Sequence, residues 1–224
     1  MTAVKTPSLP PASAAGSPSG SRARLAAGAR LARLHLRSRR APAAALALAA
    51  CAVALRAVLH WQPTGGGLAQ QIPMIIEGGA AVLVVVTTHS PFGEAERATG
   101  RRLPSLRLAA ALALTGVAIG LLQLGATGAS LDGGVLTLAR NVIGLTGIGL
   151  LTSLVTGGLL AWIVPLGYVG FSEYALAEAW RTPWIWPARP PSDRGAWICA
   201  AVVFAAGLAA FSLRGARTRL ADDG

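Results

Sequence analysis

Long apolar runs, separated by short stretches rich in Gly, Pro, Trp or Arg, dominate the chain between residues 41 and 213. The first is 41–61 (APAAALALAACAVALRAVLHW). About 20 residues cross a hydrocarbon core of about 30 Å, so this run predicts a membrane span. The run at 73–88 (PMIIEGGAAVLVVVTT) is shorter and β-branched near its end, yet too long and too apolar for a strand in this setting. A third span is predicted over 108–126. The stretch 135–175 stays apolar for 41 residues, and only Arg140, Asn141 and Glu173 interrupt it among strongly polar residues. That length holds two spans, and the small-residue cluster at 153–158 (SLVTGG) suits the turn between them. The last span is 196–213. The pattern therefore predicts an all-α fold, a polytopic transmembrane bundle of six spans.

Composition sharpens that picture. The chain has 224 residues, 53% of them apolar and only 13% charged, with a mean hydropathy of +0.55. Soluble domains carry about 25% charged residues, so this chain has too few to coat a folded surface facing water. The net charge of +11 first suggests nucleic acid. Its placement changes that reading. Lys5, Arg22, Arg24, Arg30, Arg33, Arg37, Arg39 and Arg40 all precede the first apolar run, with no acid among them. A basic arm on a nearly neutral apolar body fits an anionic cytoplasmic membrane face, and no nucleic-acid partner is expected. Within that arm, 1–21 is rich in Pro, Ser, Ala and Gly and predicts disorder, because ordering it would bury almost nothing. Residues 22–40 mix Arg with Leu and Ala at roughly helical spacing. They read either as a basic amphipathic helix on the bilayer surface or as a flexible basic tail. The long lead-in argues against a cleaved signal peptide. The domain organisation expected is a basic cytoplasmic arm (1–40), a six-span domain (41–214) and a cytoplasmic tail (215–224).

Charge also sets the expected topology. The basic N-terminus stays inside, the uncharged loop at 60–71 lies outside, and the loop with Arg97, Arg101, Arg102 and Arg107 lies inside. The loop holding Asp132 is then outside. Splitting the long run places its turn inside, the Trp-rich loop outside, and Arg214, Arg217 and Arg219 inside. One unbroken span would put that basic tail outside, against the rule. The reading is a multi-pass cell-membrane protein with both termini cytoplasmic. Trp180, Trp184, Trp186 and Trp197 then sit at the outer interface, where indole rings favour the headgroup level.

Three ionisable side chains stand out inside the spans: Arg56, Glu77 and Arg140. Their offsets from the span ends place all three roughly 6 to 9 Å below the outer surface. Each is costly in lipid, which predicts a buried charge cluster of Glu77 with Arg56 or Arg140. Such a cluster serves either as a coupling or substrate contact or as a structural ion pair. Small residues form a second set. Gly116 and Gly120 make a GxxxG pattern, and Gly149, Ser153 and Gly157 continue a small-residue row, although the turn interrupts its last step. These spacings predict close helix packing.

Other chemistry is sparse. Cys51 and Cys199 lie in apolar runs and read as apolar fillers. His35, His60 and His89 have no partner at metal-ligand spacing, so no metal site and no cofactor is expected. The motifs GxxxxGK[ST], GxSxG, HExxH and GxGxxG are all missing, so no catalytic residue is assigned and the chain does not read as an enzyme.

The segments SPFGEAERATGRRLPSLRL, ARNVIGLTGIGLL and EYALAEAWRTPWIWPARPPSDRGAW resemble those of a group of actinobacterial integral membrane proteins described as permease components of ABC-type exporters. The resemblance spans roughly 73–219. It implies six spans per subunit, a homo- or heterodimer of membrane subunits, and a separate ATPase subunit. It further implies that the loop 90–107, with the turn near Gly157, is the ATPase-docking surface. The function expected is a permease subunit moving a solute at the expense of a partner's ATP hydrolysis. The alternative is a non-transporting membrane scaffold or assembly protein.

Overall fold

A computed structural model describes residues 41–61, 67–88, 103–129, 133–180 and 182–214. The expected basic arm, the loop 89–102 with most of the docking surface, and the tail 215–224 lie outside the described residues. Among the described residues the fold is all-α, with helices α1 (Ala41–Trp61), α2 (Gly67–Thr88), α3 (Leu103–Gly125), α4 (Gly134–Thr156), α5 (Ile163–Ala177) and α6 (Arg194–Arg214). A single 3-10 turn, Trp186–Ala188, interrupts the connection between α5 and α6.

Five of these helices are long and apolar enough to cross a membrane: α1, α2, α3, α4 and α6. The remaining one, α5, has 15 residues and is about 22 Å long, shorter than the hydrocarbon core. The long apolar run breaks where its composition predicts. Helix α4 stops at Thr156, and Gly157 takes φ 80°, a left-handed value that a side chain disfavours. Ser153, placed near this turn by its neighbours, instead lies in the last helical turn, its hydroxyl donating to the Leu150 carbonyl at 2.6 Å. The second helix also corrects the sequence reading. It begins at Gly67 and carries Pro73 in its interior, so Pro73 is not its boundary. A proline removes one helical hydrogen bond, a cost that packing of the helix outweighs here.

Packing is organised around α4. It lies most extensively against α6 and also contacts α2, α3 and α5. One apolar cluster joins α1 to α4 through Leu48, Leu55, Val84, Leu122, Leu138 and Val142. A second joins Val85, Ala111, Leu150, Leu208 and Phe211. Contact between α4 and α6 is close enough to need glycine. A Cβ on Gly147 would stand 2.6 Å from the Phe204 Cα, and one on Gly207 would stand 2.6 Å from the Gly147 carbonyl oxygen. Hydroxyls inside the helices bond back to their own turns, as Thr115 does to Ala111 at 2.7 Å and Thr152 to Ile148 at 2.8 Å. That spares them an unpaired state in an apolar surrounding.

The flanks are apolar. Leu46 and Val53 of α1 are 73% and 67% exposed, and Ile198 and Val202 of α6 are exposed as well. A continuous apolar exterior of this kind is an aggregation surface in water and a matched surface in lipid. The chain is a helical bundle of the integral-membrane type.

Candidate functional site

The polar residues of the bundle gather where α2, α4 and α5 meet, near the α5–α6 connection. Glu77 of α2 is 3% exposed and Asn141 of α4 is 2% exposed. The Asn141 side-chain amide donates to Glu77 Oε2 at 2.8 Å. Helix α5 closes on α2 because Gly78 leaves room for it: a Cβ there would stand 3.0 Å from Val169 Cγ2 and 3.5 Å from Leu166 Cδ2. Glu173 lies one turn beyond Val169 on the same face of α5, within electrostatic reach of Glu77.

Several buried polar atoms in this seam have no hydrogen-bond partner. They are Asn141 Oδ1 and both carboxylate oxygens of Glu173. Buried polar groups are ordinarily paired, and an unpaired one costs about 1–3 kcal/mol. Unpaired atoms gathered around two carboxyls mark a place where a proton, an ion or a solute can be held.

The structure divides the predicted charge cluster. Glu77 receives its hydrogen bond from Asn141, not from either arginine. Arg140 is fully buried, and it also lies within electrostatic reach of Glu77. Its guanidinium, however, is committed elsewhere. Nη1 donates to the Pro190 carbonyl and Nη2 to the Arg189 carbonyl, both at 2.8 Å. Arg56 does not join at all. It points to the exposed end of α1, where Nη1 reaches the Thr127 carbonyl at 3.5 Å. Similar offsets from the span ends do not set a common direction around each helix.

Arg140 holds down the connection between α5 and α6. Arg189 pairs with Asp193, whose other oxygen accepts from the Ala196 backbone N–H at 3.1 Å and so caps α6. That backbone donor first, and Arg189 second, hold the Asp193 carboxyl below the usual carboxylate range. Trp186, expected among the headgroups, is instead enclosed by protein. It is 3% exposed, and its indole lies over Gly144, where a Cβ would stand 2.5 Å from its ring. Tyr168 packs against it at a 34° tilt with ring centroids 4.7 Å apart and donates to the Trp184 carbonyl at 2.5 Å. Trp180 and Trp184 do remain exposed, each packed against Phe171. The connection thus forms a strap across one end of the polar seam.

The small-residue candidates divide. Gly149 is a packing glycine, with Val85 Cγ2 2.6 Å from the position of a Cβ, and Ser153 is buried beside it. Gly116 and Gly120 are not. A Cβ at either meets nothing within 4 Å, so among the described residues their GxxxG pattern packs against no other helix. The glycines that do permit close approach, Gly125, Gly144, Gly147 and Gly207, escape a search for GxxxG spacing. Asn141 and Glu173 were visible only as interruptions of an apolar run. Among the described residues no group of three or more His, Cys, Asp or Glu is placed to hold a metal ion. No family model, no curated protein and no solved structure matches the chain.

Proposed function

We propose that this chain is a membrane-embedded permease subunit whose solute path runs along the seam of Glu77, Asn141 and Glu173. The observation that carries the reading is the Glu77–Asn141 hydrogen bond inside the bundle, flanked by polar atoms left without partners. A carboxyl within a membrane helix is expensive, and such groups commonly line ion or substrate routes. The resemblance of the sequence to ABC-type exporter permeases adds a separate ATPase subunit and a paired membrane subunit to the proposal. Gly116 and Gly120, where a Cβ would meet nothing within 4 Å among the described residues, give such a pairing a surface.

A scaffold is the second reading, favoured by Arg140, whose guanidinium is spent on loop carbonyls and not on a ligand. Copurification from native membranes followed by an ATPase assay separates the two. A permease subunit brings an ATPase whose turnover depends on the chain. Glu77→Gln then stops solute movement while the protein still inserts. A chain that copurifies with no ATPase activity is a scaffold, and a Glu77→Gln variant that still moves solute overturns the path along this seam.

A further inference from the structure

The Asn141 carboxamide presents two groups to its surroundings, and only one is used. Its N–H donates to Glu77 Oε2, while its Oδ1 accepts from no donor and is sealed from solvent. The N–H contact at 2.8 Å brings the carboxamide and the carboxyl together. A carboxylate offers Oδ1 nothing, because it can only accept. A carboxylic acid offers an O–H. Protonation of Glu77 thus supplies the kind of donor that the orphaned acceptor lacks.

From this geometry we infer that Glu77 and Asn141 form a proton-binding site inside the bundle, with Glu173 as the second carboxyl of the pair. The ligand is a proton drawn from bulk water, which converts the Glu77 carboxylate to the acid and is returned to water on release. Glu173 supports the assignment independently. Both of its oxygens are buried without partners and it lies within electrostatic reach of Glu77, so ionising both carboxyls together is disfavoured. The neighbouring helices supply few competing charges. Helix α4 contributes Arg140, tied to the strap; α5 contributes Glu173 and Tyr168, whose hydroxyl is bonded to Trp184. Helix α1 contributes Arg56 and His60 at its exposed end and Cys51 in an apolar cluster, and α3 contributes only Arg107, in its first turns. The site stands on these residues alone, so it holds whether or not the chain transports a solute.

The test is pH-titrated difference infrared spectroscopy of the full chain in phospholipid nanodiscs. The expected spectrum contains a carboxylic-acid C=O band that survives at neutral pH and titrates away as pH rises. Glu77→Gln removes it. Asn141→Leu, close in volume but without the amide, shifts the band to higher wavenumber because its hydrogen bonding to the acid is lost. Glu173→Gln keeps the Glu77–Asn141 contact but deletes a like charge, so the band titrates at lower pH. A spectrum without such a band at neutral pH, or one unchanged in Glu77→Gln, overturns the site. Should Glu77→Gln fail to fold, an unshifted band in Asn141→Leu and an unmoved midpoint in Glu173→Gln overturn it equally.

Discussion

Helices α3 and α4 are both 23 residues long and both rich in glycine, yet they meet opposite surroundings. In α3 the glycines at 116 and 120 face open space, and the helix is largely an apolar wall. In α4 the glycines at 144, 147 and 149 receive an indole, the α6 backbone and a valine, and the helix is more than half buried. The polar residues follow the same division. Helix α4 carries Arg140, Asn141 and Thr146 into the interior, whereas the only ionisable residue of α3 is Arg107, in its first turns. The lesson is that glycine spacing alone does not identify a buried helix in a lipid-facing bundle. Polar side chains kept inside an apolar run are the better sign, because lipid penalises them wherever they are not enclosed.

Substitutions can break or sharpen this contrast. The largest effect is expected at the indole seated on α4. Trp186→Ala empties a buried site and should cost about 3–5 kcal/mol in unfolding from detergent, whereas Trp61→Ala, at an 88% exposed position, should cost almost nothing. Arg140→Met should cost about 3 kcal/mol, since it strips two charge-assisted hydrogen bonds from the strap carbonyls, and Arg56→Met should fall within about 0.5 kcal/mol of the parent. Thermal unfolding of all four variants measures these differences directly.

Glycine replacement reads the contrast itself. Gly147→Ala drives a methyl into the α6 backbone and should destabilise by about 1–3 kcal/mol. Gly116→Ala has open space and a better helix former, so it should stabilise by up to about 1 kcal/mol. Equal losses at the two positions would mean that α3 is packed after all.

The smallest effect belongs to acid. The Asp193 carboxyl is held low in the folded chain, so its contribution to the strap is complete above the ordinary carboxylate range and fades as pH falls through the lowered value. Trp fluorescence should therefore report loosening of the strap only well into the acid range. In Asp193→Asn that acid step should be missing.

Much of the architecture could be read from apolar run lengths. The run at 41–61 coincides with α1, and the small residues after Val155 do end α4. Run lengths fail where two physical effects compete. At Pro73 a residue that usually opens a helix sits inside one, because tertiary packing supports the missing bond. At 163–177 the run is apolar enough but the helix is shortened by turns on both sides. The candidate site was half legible. Glu77 and Arg140 stood out as costly residues, but linear position gives depth along a helix, not direction around it. Adjacent residues on a helix point about 100° apart, so the sequence could not tell that Asn141, and not Arg140, faces Glu77. Nothing in the local pattern marked Trp186 as buried, since its slot is formed by a glycine more than 40 residues earlier.

Lipid solvation of the flanks, with α4 enclosed, can be tested by spin labels placed one at a time in vesicle-reconstituted chains whose Cys51 and Cys199 are replaced by alanine. Labels at Leu46 and Val53 of α1 should collide freely with oxygen, which partitions into lipid, and rarely with a water-soluble nickel complex. Labels at Leu145 and Leu150 of α4 should collide with neither. Nickel access exceeding oxygen access at Leu46 and Val53, or equal oxygen access on both helices, would contradict a lipid-embedded bundle built around α4.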